Sequence, residues 1–516
     1  MPANTLYYGD NIDVLREYLK DETVDLVYLD PPFNSKRDYN LLFKTPAGHE
    51  SESQVTAFVD SWHWGEQAEA EYSQILHQRN TQLAEMMRGF RSFLGENDVM
   101  AYLTMMANRL LELHRVMKPT ASIYLHCDPT ASHYLKLLMD AVFGAANFRN
   151  EIVWCYKSRP QSKRYFGRKH DTILFYTKSD AYYFDWESVV RPLSESTVNK
   201  YRLIDENGRK YRLEGRGITG SPIRSAKDVE QKWEISHPEL VVRDYLDEKI
   251  GVCQEDWWTD INIINQSATE RLGYPTQKPE SLLERIINAS SNQGDLVLDP
   301  FCGCGTAVVA AEKLKRKWTG IDITHLAVAL IEKRLQDTFP DITFDVVGTP
   351  KDLEAARDLA QRNKYQFQWW VCSLVKAQPY DGKKKGADGG VDGLIFFQDD
   401  AHGSKKIVVS VKGGDKVSVA MVRDLRAIVE REKAAIGLFV TLSAPTAPML
   451  VEATSAGWYV SPTIDANFPK IQLLTIEGLL NGTEAPRYPD LARGGLTFKR
   501  AQQKSAKEST GRLIGE

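Results

Sequence analysis

"DLVLDPFCGCGTAVVAAEKLKRKWTGIDI", residues 295–323, contains a strand, a glycine turn, a helix and a second strand in direct succession. Leu296 to Leu298 is a short apolar run ending on Asp299, which is the pattern of a buried strand. Gly303 and Gly305 then let the backbone approach a ligand closely, and a helix opening at Thr306 offers free N–H groups. Roughly 20 residues further on, the strand "KWTGIDI" ends at Asp322, where a carboxylate is placed to hold two ribose hydroxyls. No lysine follows the second glycine, so this is not a phosphate-binding P-loop, and the glycine spacing is not GxGxxG.

The same grammar recurs upstream. "VDLVYLDPPFNS", residues 24–35, is a β-branched and aromatic strand ending on Asp30, followed by two prolines and Phe33. Pro31 and Pro32 fix φ and remove two backbone donors, so the chain leaves the sheet in a rigid, extended turn. The plain alternative is a strand that stops in a proline turn with Phe33 in the core. Between and around these stretches the chain alternates helical and strand-like runs. "NIDVLREYLK" and "TASHYLKLLMDAVFG" read as helices; "ASIYLH", "EIVWCY" and "DTILFYT" read as strands. That alternation implies a mostly parallel sheet with helices on both faces. Residues from about 180 to 260 lose the pattern and read as an inserted module, closed by "EDWWTD", whose tryptophans suit packing. The pattern returns with "SLLERIINAS" and runs through "HLAVALIEKRLQ".

The chain has 516 residues, 42% hydrophobic and 26% charged, an ordinary globular composition with room for several domains. Its net charge of −4 excludes a uniformly basic nucleic-acid binder, so any such contact must be local. No stretch is apolar enough for a membrane span, and the start lacks the charged-then-apolar pattern of a signal sequence. Cys127, Cys155, Cys253, Cys302, Cys304 and Cys372 show no disulfide-like or CxxC spacing, which predicts a reduced, cytoplasmic chain.

"DPFCGCGT" (299–306) resembles the S-adenosylmethionine-binding motif of DNA amino-methyltransferases, and "DPPF" (30–33) resembles their catalytic motif. "YPTQKPESLLERII" (274–287) looks like the segment that precedes the cofactor motif and packs on the methionine end of the cofactor. The order, catalytic motif first and cofactor motif last, is that of the β-group enzymes, which modify adenine N6 or, less often, cytosine N4. The resemblance covers residues 1–345 and implies a Rossmann-like α/β methyltransferase domain, with residues 180–260 as its target-recognition insert. It implies S-adenosylmethionine as cofactor, double-stranded DNA as substrate, a role in restriction–modification or phage defence, a homodimer in many members, and further restriction or defence subunits as partners.

Carried onto this chain, the resemblance gives Asp30, the Pro31 carbonyl, Pro32 and Phe33 the catalytic roles. An exocyclic amine is a poor nucleophile because its lone pair is delocalised into the base. Acceptors on both amine hydrogens help it to pyramidalise, and a flipped-out base needs a ring to stack on. Aspartate before the prolines favours adenine; cytosine-N4 enzymes more often carry serine there, and glutamine-modifying relatives asparagine. Cofactor contacts fall to Asp299, Phe301, Gly303, Gly305 and Thr306 for the amino-acid portion and to Asp322 for the ribose. Asp10 corresponds to the acid near the adenine, with helix capping as its alternative. Thr276 and Lys278 correspond to residues near the cofactor carboxylate, with a surface position as the alternative for Lys278. Cys302 and Cys304 occupy variable loop positions and read as packing residues rather than metal ligands. The run "KSRPQSKRYFGRKH" offers Lys157, Arg159, Lys163, Arg164, Arg168 and Lys169 as a DNA-tracking patch, or else a solvated loop. A cytosine-N4 enzyme and a DNA-binding protein with little methyl transfer of its own are the alternatives to an adenine enzyme.

After a linker and helix (346–360), "YQFQWWVCSLVKAQPYDGKKKGADGGVDGLIFF" (365–397) and "KKIVVSVKGG" (405–414) offer a helix, a turn and a strand ending in x-x-Lys. On these pieces residues 361–480 resemble the Mrr-like branch of the PD-(D/E)XK nuclease fold, a smaller α/β domain, and residues 481–516 form a polar, basic tail. Asp392 and Lys412 match that family's metal-binding acid and its lysine, and active members hold Mg²⁺ there. Ser410 and Gln368, however, stand where acids or glutamine and an acid are usual, which removes hard oxygen charge. Either Asp388 or another acid compensates, or the domain binds DNA without cutting it.

Overall fold

The computed structural model describes residues 4–32, 37–44, 50–60, 63–157, 164, 166–215, 227–265, 268, 270–272, 274, 276–380, 390–399, 404–414 and 416–489. Phe33, Arg159, Lys163, Asp388 and the tail beyond 489 lie outside the described residues.

Among the described residues nine strands make the central sheet: β1 (Thr5–Tyr8), β2 (Val24–Leu29), β3 (Met117–Cys127), β4 (Phe148–Cys155), β5 (His170–Thr177), β6 (Trp257–Trp258), β7 (Leu296–Asp299), β8 (Lys317–Asp322) and β9 (Asp345–Val347). Their spatial order is β6-β4-β5-β3-β2-β7-β8-β1-β9. All neighbours run parallel except β5, which is antiparallel to both β3 and β4. The strands β1 and β2 follow one another in the chain yet stand apart in the sheet, with β7 and β8 between them. This permutation sets the C-terminal ends of β2, β7, β8 and β1 in a row. Asp25 stitches β2 on both sides, accepting from Lys118 Nζ at 2.7 Å and from the Leu296 N–H at 2.9 Å.

Successive strand side chains point to opposite faces, and each face has its own core. Val27, Leu29, Ile123 and Leu125 pack with the helices α1 (Asn11–Tyr18), α2 (Asp98–Val116) and α3 (Ser132–Phe143). Leu26, Tyr28 and Tyr124 pack with α4 (Glu280–Ser290), α5 (Thr306–Lys313) and α6 (His325–Thr338). Buried on both faces, such strands read as near-continuous apolar runs, as 24–29 does. Two further helices, Glu66–Leu76 and Thr81–Leu94, add Tyr72, Ile75, Leu83 and Met87 to the first core. Within 180–260 the strands Leu203–Ile204, Lys210–Gly215 and Val241–Tyr245 form a separate antiparallel sheet around Leu203, Tyr211, Leu213 and Val241. The chain then rejoins the main sheet at Trp257 and Trp258. Trp258 is buried and donates its indole N–H to the Glu255 carbonyl, whereas Trp257 is exposed.

The C-terminal sheet is ordered β10 (Gln378–Pro379), β11 (Gly393–Gln398), β12 (Ser404–Lys412), β13 (Ile436–Thr441) and β14 (Ile471–Thr475); the first two pairings are antiparallel and the last two parallel. Helix α7 (Leu353–Arg362) buries Ala356 and Leu359 in this second core, beside Phe367, Trp370 and Val371 of α8 (Lys364–Leu374). By packing, residues 353–362 therefore go with the C-terminal core.

Candidate active site

A cavity of about 770 Å³ opens where the ends of β2, β7, β8 and β1 line up, and one acid stands at or just past each end: Asp30, Asp299, Asp322 and Asp10. Ligands of parallel sheets bind at this edge. Pro31, Pro32, Thr276, Lys278, Phe301, Gly303 and Thr306 share the cavity wall. Gly305 lies beside it: its φ of 75° is one that side chains rarely adopt, and it is the residue from which α5 starts. Gly303 has a φ of 53° and passes Tyr274 so closely that a Cβ would sit 3.4 Å from its ring.

The acids differ in their surroundings. Asp322 accepts from the Gly303 N–H (2.9 Å), the Thr324 N–H (2.9 Å) and the Thr324 hydroxyl (2.9 Å). Burial nonetheless pushes its carboxyl up to about 6, those hydrogen bonds opposing the rise. Asp299, 4% exposed, accepts from the Phe301 N–H at 3.1 Å. Burial, reinforced by the nearby charges of Asp30 and Asp322, pushes it up to about 8. Asp10 caps α1 by accepting from the Ile12 N–H (3.1 Å), and it also accepts from buried Arg109 at 2.8 Å while lining the cavity. The helix-capping alternative is thus observed, on a side chain that also lines the cavity.

Lys278 is 8% exposed, which corrects the surface alternative: its Nζ donates to Asp30 Oδ2 at 2.6 Å. The pair spans 248 residues of sequence, so no local signal could reveal it. Behind Asp30 runs a second unread feature. The Tyr28 hydroxyl is hydrogen-bonded to His126 Nδ1 (3.0 Å), His126 Nε2 to Asp171 (3.1 Å), and Tyr156 donates to the other Asp171 oxygen (3.2 Å). Burial, with Asp30 and Asp299 nearby, holds the Tyr28 hydroxyl well above its ordinary range. Tyr28 lines the cavity two residues before Asp30, and the alternation of strand faces was its only signal in the sequence.

Cys302 and Cys304 are buried among apolar neighbours, as their reading as packing residues expects. Among the patch residues, Lys157, Arg164 and Arg168 are exposed and Lys169 is half-buried, in the connection from β4 to β5. Since β5 runs antiparallel, that connection leaves the sheet at the same edge as Asp30.

In the C-terminal domain Asp392 spends both oxygens on protein donors: Gln368 Nε2 at 2.9 Å and the Val411 N–H at 2.7 Å. Ser410 is buried, and Lys412 follows two residues on, on the same strand face. Among the described residues no group of three or more His, Cys, Asp or Glu is placed to hold a metal. The donors on view do not fit Mg²⁺, which demands several hard oxygens.

Residues 24–333 match the family model for DNA methylases, and the chain belongs to that family; residues 359–477 match the model for a restriction endonuclease. The fold is accordingly a Rossmann-like methyltransferase domain followed by a restriction-endonuclease-like domain. The type II methyltransferase M.EcaI of Enterobacter cloacae is 30% identical over 261 residues, 45% of this chain and 57% of that protein. The type II methyltransferase M.HpaI of Haemophilus parainfluenzae is 29% identical over 239 residues, 46% of this chain and 60% of that protein. The DNA adenine methyltransferase YhdJ of Escherichia coli (strain K12) is 24% identical over 335 residues, 64% of this chain and 83% of that protein. The chain thus spans less than two thirds of the length of the first two relatives.

Proposed function

We propose that the protein is an S-adenosylmethionine-dependent DNA methyltransferase that modifies adenine N6 within a restriction–modification or defence system. The observation that carries this reading is one continuous cavity joining Asp30, Pro31 and Pro32 at one end to Asp322 at the other. Its volume suits a ligand of that size, and its carboxylates suit a cation. The cofactor supplies an electrophilic methyl group on a sulfonium; the rest is positioning by the chain.

Asp322 would hold the ribose hydroxyls, already oriented by Gly303 and Thr324. Asp299, Phe301, Gly303 and Thr306 would surround the amino-acid portion, with Gly305 giving the turn its close approach. Asp30 and the Pro31 carbonyl would accept the two amine hydrogens of a flipped-out adenine, an arrangement that matters most as the nitrogen pyramidalises. Lys278 is then a positioning residue: by binding Oδ2 it orients the carboxylate so that the amine hydrogen goes to the other oxygen. Lys157, Arg164, Arg168 and Lys169 would track the DNA backbone, and the small sheet within 203–245 would read the target. Adenine is favoured over cytosine by Asp30 itself and by the likeness to an adenine methyltransferase. Partners and a homodimer remain proposals carried over from the family. No cleavage step is assigned to the C-terminal domain; its fold supports a DNA-binding role.

The test is transfer of labelled methyl groups from S-adenosylmethionine into mixed-sequence duplex DNA, by wild type and Asp30→Ala. Transfer should fall by about 10³-fold or more in the variant while cofactor affinity stays within about threefold, because the acceptor acts mainly in the transition state. An equal loss of cofactor affinity would remove Asp30 from the role assigned to it.

A further inference from the structure

The cavity wall is not made by the methyltransferase domain alone. Asn363, Tyr365, Gln366 and Trp369, at the start of α8, also line it. Tyr365 and Trp369 are four residues apart and share one helix face; Phe367, Trp370 and Val371 point the other way, into the second core. This helix is therefore two-sided, with one face holding its own domain together and the other closing a site that belongs to its neighbour.

The place of contact is specific. The Tyr8 ring stacks on His325, with centroids 3.5 Å apart and planes 18° from parallel, and the His325 N–H donates to Gln366 Oε1 at 3.3 Å. Burial pushes the Tyr8 hydroxyl up to about 12, a rise that the charge of Arg362 opposes. These residues sit at the β8–β1 end of the row of strand tips. Asp30, at β2, is three strand steps away, roughly 14 Å at about 4.8 Å per step. That is of the order of the reach of an extended nucleoside joined to an amino acid. With the methyl group at Asp30 and the ribose at Asp322, a nucleobase continuing along the row of strand tips would meet the part of the wall that α8 supplies, with Tyr365 and Trp369. Purine faces stack well on aromatic rings.

We propose that the restriction-endonuclease-like domain completes the cofactor site: Tyr365 and Trp369 form the wall against the adenine of S-adenosylmethionine, so cofactor occupancy and docking of that domain are coupled. The inference rests on the reading of this cavity as the cofactor site. Coupling of this kind is reciprocal: whatever the docked domain adds to cofactor affinity, the cofactor adds to docking.

The full-length protein is titrated with S-adenosylmethionine, and separately with adenosine, by calorimetry, for wild type and for Tyr365→Ala/Trp369→Ala. The double variant should bind both ligands tenfold or more weakly, and Trp369→Phe in the presence of Tyr365 should restore most of the affinity. Tyr365 is 67% exposed, so its truncation spares the core. In wild type, hydrogen exchange supplies a readout that needs no substitution: S-adenosylmethionine should slow amide exchange across Lys364–Leu374. Wild type binding the cofactor with no added protection there, or a double variant binding as tightly as wild type, would overturn the proposal and leave the cofactor reading standing. A wild type that binds no S-adenosylmethionine would overturn both.

Discussion

Asp299 and Asp322 share a cavity with Asp30, and burial holds both well above an ordinary carboxyl, at about 8 and about 6. A carboxyl whose folded value is raised binds more protons in the native than in the unfolded state. Between about pH 4 and pH 8 it therefore makes stability fall as pH rises, and the loss is complete once the folded group has ionised. Thermal unfolding of the ligand-free protein should show Tm declining from pH 6 to pH 8.5, and Asp299→Asn should flatten that slope. An unchanged slope in the variant would mean that Asp299 is ionised throughout. At Lys278 the expectation concerns rate. Lys278→Met should lower kcat by about 10²-fold with a smaller change in cofactor affinity, and Lys278→Arg should recover part of the rate, since removing one partner strands a buried charge. Single-turnover kinetics beside calorimetry would separate the two effects; a loss confined to cofactor binding would return Lys278 to the cofactor carboxylate. The residues of this site were legible where each closes a strand, as Asp30, Asp299 and Asp322 do. Lys278, Tyr28 and the His126–Asp171 pair were not, because their meaning lies in partners brought together by the fold.

At the scale of elements, the turn between β7 and α5 shows why sequence reading worked there. A Cβ on Gly305 would lie 2.9 Å from the Ile331 side chain of α6, at a backbone conformation only glycine adopts freely. Gly305→Ala should cost about 1–3 kcal/mol of stability, lowering Tm, and should weaken cofactor binding. Gly305→Ala in an Ile331→Ala background, which lacks both clashing Cγ atoms, relieves the contact but not the φ, so relative to Ile331→Ala alone it should recover only part of the loss. Full recovery in that double variant would make the steric contact the whole effect. Strands β2 and β7 were readable because burial on both faces makes them near-continuous apolar runs. The two-residue strand β6 was not, since it exists only by pairing with β4. Helix α7 read as part of a linker because its burial is small, Ala356 and Leu359 being its buried residues and Leu353 and Ala360 only partly covered by the second core.

Across the whole molecule, the order of motifs along the chain and the order of strands in the sheet carry the same information. The Asp30–Pro32 turn comes early and the Asp299–Gly305 turn late, yet β2 and β7 are neighbours, so the two halves of the cavity meet. The resemblance could be read because those motifs are local. The contribution of α8 to the cavity could not, because it depends on how two domains dock. The C-terminal fold was legible from its resemblance around Asp392 and the strand ending at Lys412, and the departures at Gln368 and Ser410 persist in a site whose acid is already committed to protein donors. The most direct test of the central claim is nucleoside mass spectrometry of duplex DNA after incubation with purified full-length protein and S-adenosylmethionine, without added metal. The account predicts N6-methyladenine with wild type and none with Asp30→Ala. N4-methylcytosine in its place, or the same N6-methyladenine from the variant, would contradict it.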